Sequence, residues 1–398
     1  MSILLVDPDD DSRLLLGLIL EEAGESEVRA CESFAQAMAL LEAPAERAAA
    51  WRPELAIFAA AMPGMDGLEA CRRLKALPDC AEVPVLVSGP DLDAEALSGA
   101  FAAGAADFLR KPFNVAEVRM RVGNALRLSR EIARREERES ELARALGALS
   151  RDLEAAAVLQ RSLLPDPQAR FRGVEARWRF RPSAAVGGDL LGLAAPGERV
   201  LSLYLLDVAG HGVPAALHSV GLARLLSPAA RGSMAFDGEG RPRGPAEVAA
   251  RLNESYAAAR GPVQFLTMIY ATLDLDTREF AYVQAGHPGL ILRRHGCPAV
   301  VLSDGDLPVG LFPGTAFERR TLALQPGDRL LLYSDGVIES ERVADAELFG
   351  QERLLGLVDA TAHGACDGLL DAVDEALRAW TAPRASADDV TLLALDIH

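Results

Sequence analysis

The sequence predicts an α/β protein of two unlike folded parts joined by a long helix. Three observations carry this. Near the N-terminus, short buried-strand runs alternate with helix-period segments. Residues 123–165 hold no proline before Pro165 and keep a heptad-like apolar spacing. From residue 166 onward strand-like runs predominate, with four helical stretches among them.

In residues 1–122, Ile3-Leu4-Leu5-Val6 reads as a buried strand and Leu14–Glu22 follows at helical period. Leu55–Phe58 is a second buried strand, with a helix over Gly67–Leu77. Val83–Val87 is a third, then a helix over Ala94–Ala103, a short strand at Asp107–Leu109 and a helix over Val115–Leu126. Strands alternating with helices imply a parallel, doubly wound sheet.

In residues 123–165, Leu142, Leu146, Leu149, Leu153 and Ala156 step by 4, 3, 4 and 3. The register extends back through Glu139 and Arg135 to Ile132 and Leu128, and forward to Gln160 and Leu163. This is an a/d seam with two polar gaps. A single amphipathic helix packed on the next domain is one reading. A parallel, dimeric coiled coil is preferred, because the charged faces are otherwise solvated all round. Leu164-Pro165 ends it.

In residues 166–398, strands are expected over Val200–Leu206, Thr267–Leu273, Phe280–Gln284, Gly289–Leu292, Arg329–Tyr333 and Val390–Leu395. Helices are expected at 213–226, 244–259, 350–359 and 366–380. The Gly- and Pro-rich stretch 231–244 reads as a mobile loop able to gate a site.

Composition narrows the function. The chain has 398 residues and a formal net charge of −17. Such acidity opposes binding to nucleic acid or to anionic membranes, and no basic recognition helix follows the first domain. No 18-residue apolar run suggests a membrane span, and no charged-then-apolar leader pattern opens the sequence. The five scattered cysteines form no C-x-x-C pair, which points to reduced thiols and a cytoplasmic location.

The chemistry concentrates in four acidic positions at strand ends. Asp189 closes Val186-Gly-Gly-Asp, and Asp207 closes the run from Leu203. Asp335 follows Leu330-Leu-Leu-Tyr-Ser, and Asp388-Asp389 opens the last strand. A lone Asp-Gly is usually a turn. Four carboxylates beside buried strands, with no His or Cys cluster competing, suit hard cations such as Mg²⁺ or Mn²⁺. Two such ions can share a hydroxide for attack on a phosphate.

These segments make residues 157–396 resemble the bacterial type 2C, metal-dependent (PPM) protein phosphatases of the stress-response and sporulation kind. The matching runs include Leu159–Pro165, Val186–Asp189, Asp207–Leu217, Phe265–Tyr270, Ala285–Pro288, Pro308–Leu311, Pro326–Gly336, Phe349-Gly350 and Asp388–Thr391, in family order. The resemblance implies a β-sandwich flanked by helices and two Mn²⁺ or Mg²⁺ ions. It implies Asp189, Asp207, Asp335 and Asp388 as catalytic metal ligands, with the Val208 carbonyl as a further ligand and Asp389 as a lesser candidate. The family often continues Gly-Gly-Asp with an aromatic pair and a second Asp, where this chain has Leu190, Leu191 and Gly192. His211 and His287 are acid–base candidates of lower rank, since a metal-bound hydroxide needs no protein base.

Residues 1–122 resemble response-regulator receiver domains through Met62-Pro-Gly-Met-Asp-Gly67, Gly104–Leu109 and Lys111-Pro112-Phe113. The resemblance implies a five-stranded parallel sheet. Its phospho-acceptor position, after Pro53–Phe58, is Ala59, which has no nucleophilic oxygen. Pro8 takes one place of the expected acidic pair, Asp7 and Asp9 remain, and Ser88 and Lys111 match the other switch positions. Asp66 belongs to the following loop.

The sequence thus predicts a pseudoreceiver at 1–122, a helical coiled-coil linker at 123–165 and a phosphatase domain at 166–398. The expected activity is metal-dependent hydrolysis of phosphoserine or phosphothreonine on a phosphoprotein substrate. The family resemblance suggests an anti-sigma-factor antagonist as that substrate. Dimerisation through the coiled coil and a protein partner on the pseudoreceiver are expected. The alternative is an inactive adaptor that binds partners through the phosphatase fold, for which Gly192 is the supporting feature.

Overall fold

A computed structural model describes residues 2–22, 27–42, 51–90, 94–210, 212–258, 265–384 and 386–398. The chain forms two compact units, Met1–Gly147 and Ala148–His398.

In the first unit, β1 (Ser2–Val6), α1 (Asp10–Glu22), β2 (Glu27–Cys31), α2 (Phe34–Leu41) and β3 (Leu55–Ala59) come first. A short hairpin of β4 (Ala61–Met62) and β5 (Met65–Asp66) leads to α3 (Gly67–Lys75). Then come β6 (Val85–Gly89), α4 (Ala94–Ala102) and β7 (Asp107–Arg110). The sheet has the order β2-β1-β3-β6-β7 and is parallel throughout. The central strands β1, β3 and β6 are wholly buried, because a parallel sheet covered on both faces needs unbroken apolar runs.

Helix α5 runs without a break over Val115–Ser162. The expected boundary at 122 falls inside it, and that at 165 three residues beyond its end. Its first turns belong to the first core, where Val118, Val122, Ala125 and Leu126 are buried. Farther along, Leu142, Leu146 and Leu149 are exposed.

The second unit is a sandwich of two antiparallel sheets. Its first elements are β8 (Arg170–Phe171), β9 (Val174–Arg181), β10 (Leu190–Ala194), β11 (Val200–Val208), α6 (Val213–Leu226) and α7 (Pro245–Ala258). There follow β12 (Leu266–Asp274), β13 (Glu279–Ala285), β14 (Leu290–Arg293), β15 (Val300–Leu302) and β16 (Arg320–Ala323). The last are β17 (Arg329–Tyr333), α8 (Asp335–Ile338), α9 (Gly350–Ala360), α10 (Cys366–Thr381) and β18 (Val390–Ile397). One sheet has the order β10-β11-β12-β13-β16 and the other β15-β14-β17-β18-β9-β8.

Period-2 alternation divides each strand between two environments. Leu201, Leu203 and Leu205 of β11 meet Leu330, Leu332, Leu393 and Leu395 in the core between the sheets. Leu206 and Val208 face α6 and α7 on the outer side. Helices α9 and α10 cover the second sheet through Leu354, Leu370, Val373 and Leu377.

Stretch 231–244 is pinned rather than loose. Ala235 and Phe236 are buried in the core under α6 and α7, and Phe236 bridges to Pro242. Among the described residues, no helix is long and apolar enough to cross a membrane.

Candidate active site

The ladder registers bring the predicted carboxylates together. Leu190 pairs with Leu206, which sets Asp189 at the mouth of β10 beside Asp207 near the end of β11. Tyr333 pairs with Leu392, so Asp335 just after β17 and Asp388 just before β18 leave the second sheet at one end. The four sit at graded depth. Asp189 is 1% exposed, Asp207 and Asp335 are half-buried, and Asp388 is exposed at the rim.

Their protonation reports the crowding. Burial, and then the charge of Asp207, push the Asp189 carboxyl well above the ordinary carboxylate range, although the Thr391 hydroxyl donates to it. Burial, and then the charges of Asp335 and Asp388, push Asp207 up to about 7. Asp335 is raised by burial and by Asp388, with Glu339 adding further negative charge. Arg329 and Arg294 of this unit pair with Asp396 and Asp328.

A buried, all-oxygen, mutually repelling set without a cationic side chain fits a hard divalent cation. Among the described residues, no three His, Cys, Asp or Glu side chains close into a ligand cage. That suits an ion that keeps several waters. The Val208 carbonyl shares the space: a Cβ placed on Gly188 would lie 2.9 Å from that oxygen and 3.3 Å from Asp207 Oδ1.

Asp389 lies beside this set and organises the loop that carries Asp189. Its Oδ1 accepts from the Ser183 N–H at 2.7 Å and the Ser183 hydroxyl at 3.0 Å. Its Oδ2 accepts from the N–H groups of Gly188 at 2.6 Å and Asp189 at 3.3 Å. This explains two glycines. A Cβ on Gly187 would sit 2.2 Å from Asp389 Oδ2, and one on Gly336 would sit 2.1 Å from the Asp389 carbonyl oxygen.

Gln160 departs from its expected seam position. It is 2% exposed. It donates to the Gly187 carbonyl at 2.7 Å and accepts from the Gly187 N–H at 3.2 Å. It also reaches Ser219 Oγ on α6. The end of α5 therefore holds the same loop that Asp389 holds. The sequence offered no sign of this beyond a glutamine in an apolar register.

The structure changes the reading of the histidines. His287 is 4% exposed, and its Nδ1 lies 2.8 Å from Thr267 Oγ1. Its Nε2 has no hydrogen-bond partner, and burial pushes its pKa down to about 3. Burial thus favours its neutral form. His211 lies outside the described residues.

Gly192 has a local cause. It pairs with Tyr204 across β10 and β11, and a Cβ there would lie 2.4 Å from the Tyr204 ring. The missing side chain makes room for a phenol and removes none of the four carboxylates.

In the first unit, Ala59 ends β3 beside Ser88 of β6, is 3% exposed, and leaves the Ser88 hydroxyl without a partner. Asp7, 1% exposed, is paired with Lys111 Nζ at 2.7 Å. Asp9 caps the start of α1 by accepting from the Ser12 N–H, and Asp66 caps α3 by accepting from the Glu69 N–H. No carboxylate stands at the acceptor position.

Comparison with known proteins gives concordant matches. Residues 197–398 match the family model described as Stage II sporulation protein E (SpoIIE), and residues 3–123 match that of the response regulator receiver domain. Protein IcfG of Synechocystis sp. is 27% identical over 264 residues, covering 61% of this chain and 41% of that protein. Phosphoserine phosphatase RsbP of Bacillus subtilis is 27% identical over 189 residues, covering 48% and 45%. Phosphoserine phosphatase RsbU of the same organism is 26% identical over 189 residues, covering 47% and 53%. The chain spans about half the length of the curated relatives it matches. The SiaA-PP2C domain of Pseudomonas aeruginosa shares the fold, with a TM-score of 0.54 at 20% identity over 64% of this chain and 99% of that one.

Proposed function

Because the chain belongs to the Stage II sporulation protein E (SpoIIE) family, we propose that it is a metal-dependent protein serine/threonine phosphatase controlled by a receiver domain that cannot be phosphorylated. One observation carries the reading: four carboxylates crowd at one end of the sandwich with no cationic side chain among them. The names of RsbP and RsbU as phosphoserine phosphatases support the activity. The substrate we favour is a small phosphoprotein, an anti-sigma-factor antagonist. The free thiols suit a reducing cytoplasm.

Asp189, Asp207, Asp335 and Asp388, with the Val208 carbonyl, would hold two Mn²⁺ or Mg²⁺ ions. Bound there, the ions would stabilise the negative charge of the phosphate. The chain's own part is placement. Asp389 and Gln160 fix the loop of Asp189 from two sides. Burial favours the neutral form of His287. Asp388 and Glu339 at the open rim keep unneutralised negative charge beside the entry.

Control would run by association. The exposed Leu142, Leu146 and Leu149 support a dimeric coiled coil. The polar gaps of the seam, Arg135 and Glu139, bond to each other at 2.7 Å within one helix. A protein docking on the pseudoreceiver would act through α5, which ends at the Gln160 contact. The adaptor reading loses its support, since Gly192 is explained by Tyr204.

The test is phosphate release from para-nitrophenyl phosphate by the full chain with Mn²⁺. Wild type should turn over, and Asp207→Ala should lose about a hundredfold or more. If the two behave alike with metal present, the enzyme reading fails.

A further inference from the structure

A cavity of about 950 Å³ lies in the second unit, away from the carboxylates. It opens between β10–β11 and the second half of α6, and the turn 227–232 closes one side. We propose that this cavity binds a small amphipathic acid, with an apolar body and a single carboxylate, sulfonate or phosphate head.

The size is that of a small-molecule site. The cavity is open to solvent on the side of Arg224, Pro228 and Arg231, which leaves a ligand a way in. Its lining sets the ligand's body: Ala194, Leu226 and Phe236 are apolar, and the Tyr204 ring occupies the space beside Gly192. A side chain at residue 192 would displace that ring.

The charge sets the ligand's head. Arg224 and Arg231 both line the cavity and are exposed. Arginines nearby are neutralised, Arg241 by Asp237 and Arg243 by Glu247. Among the described residues, the side chains of Arg224 and Arg231 have no ion-pair or hydrogen-bond partner. In a chain of net charge −17, two unpaired guanidinium groups over an apolar pocket form a local anion site.

Helix α6 also touches the catalytic loop. Its Ala215 Cβ would lie 3.3 Å from a Cβ on Gly188, and its Ser219 Oγ meets Gln160. A ligand against the far half of α6 therefore bears on the helix that abuts Asp189. That consequence rests on the phosphatase reading, whereas the binding does not.

The experiment titrates the full-length protein with 8-anilinonaphthalene-1-sulfonate, followed by fluorescence, with dodecanoate as competitor. Wild type should bind about one dye per chain, saturably, and dodecanoate should displace it. The double variant Arg224→Glu/Arg231→Glu changes only exposed positions and should bind about tenfold more weakly or worse. Ala194→Trp, on the face of β10 that lines the cavity, fills it and should abolish binding while both variants melt as wild type does. No saturable binding to wild type overturns the proposal. So does equal binding to the double variant, which means surface adsorption. Dye binding that falls as protein concentration rises would mean that a second copy of this chain covers the cavity, and it overturns the proposal too.

Discussion

Replacing Asp207 with Asn should stabilise the metal-free protein while removing its response to metal. The Asp207 carboxyl is raised from 3.8 to about 7, first by burial and then by Asp335, Asp388 and Asp389. The folded state therefore holds this proton more tightly than the unfolded chain does. Stability from the group is complete below pH 3.8 and is lost as pH rises through 7. At pH 8 without metal, ionised Asp207 costs the fold about 2–4 kcal/mol, from about three pKa units at ~1.4 kcal/mol each, reduced for sharing among coupled carboxylates.

Asn keeps the shape and removes the charge. In EDTA at pH 8, Asp207→Asn should melt about 5–10 °C above wild type, given roughly 2–4 °C per kcal/mol in a domain of this size. At pH 5.5 the gap should shrink, because wild-type Asp207 is then largely protonated. Adding Mn²⁺ at pH 8 should raise the wild-type Tm and leave the variant nearly unmoved. Differential scanning calorimetry reads all three. A variant that melts at or below wild type in EDTA at pH 8 refutes the crowding argument. An equal Mn²⁺ shift in both proteins refutes the ligand assignment.

Three further outcomes are expected. Asp389→Ala strands four donors, three of them backbone N–H groups, and should cost about 3–5 kcal/mol and weaken the Mn²⁺-induced Tm shift; an unchanged melt and metal response would show that the loop does not depend on it. Gly192→Ala should cost about 1–3 kcal/mol through overpacking on Tyr204, and most of that cost should vanish in a Tyr204→Ala background, so strict additivity in chemical denaturation would rule out the contact. Acetyl phosphate should leave both intact mass and phosphatase activity unchanged, since Ala59 offers no acceptor oxygen; a phosphorylated species with altered activity would locate an acceptor elsewhere.

What the sequence revealed and hid follows from what each residue packs against. Strands buried on both faces, such as β1 and β3, announce themselves as apolar runs. Strand β2 escaped because it is an edge strand with Glu27 and Ala30 exposed. Strand β9 was not expected although Val174, Ala176, Trp178 and Phe180 alternate with charged residues along it. The heads of Arg177, Arg179 and Arg181 pair with Asp367, Asp371 and Asp374 of α10, a match across about 190 positions that the strand's own pattern does not record. Gly192 hid β10 in the same way, by trading a side chain for a ring from the next strand.

The four carboxylates were legible because strand ends and small neighbours mark them, but their support was not. Asp389 works through backbone N–H groups that every sequence has, and Gln160 looked like a flaw in a heptad. Once placed, they give Val186-Gly-Gly-Asp189 a separate physical reason at each residue after the buried Val186. Gly187 leaves room for the Asp389 carboxylate, and Gly188 leaves room for the Val208 carbonyl and Ala215. Asp189 then reaches the floor with its N–H already held. Two of these constraints arise from Asp389, about 200 positions away, and a third comes from the end of α5. The loop is therefore set jointly by the last strand and the linker helix. A disturbance of either should reach the carboxylates before it reaches the sandwich core.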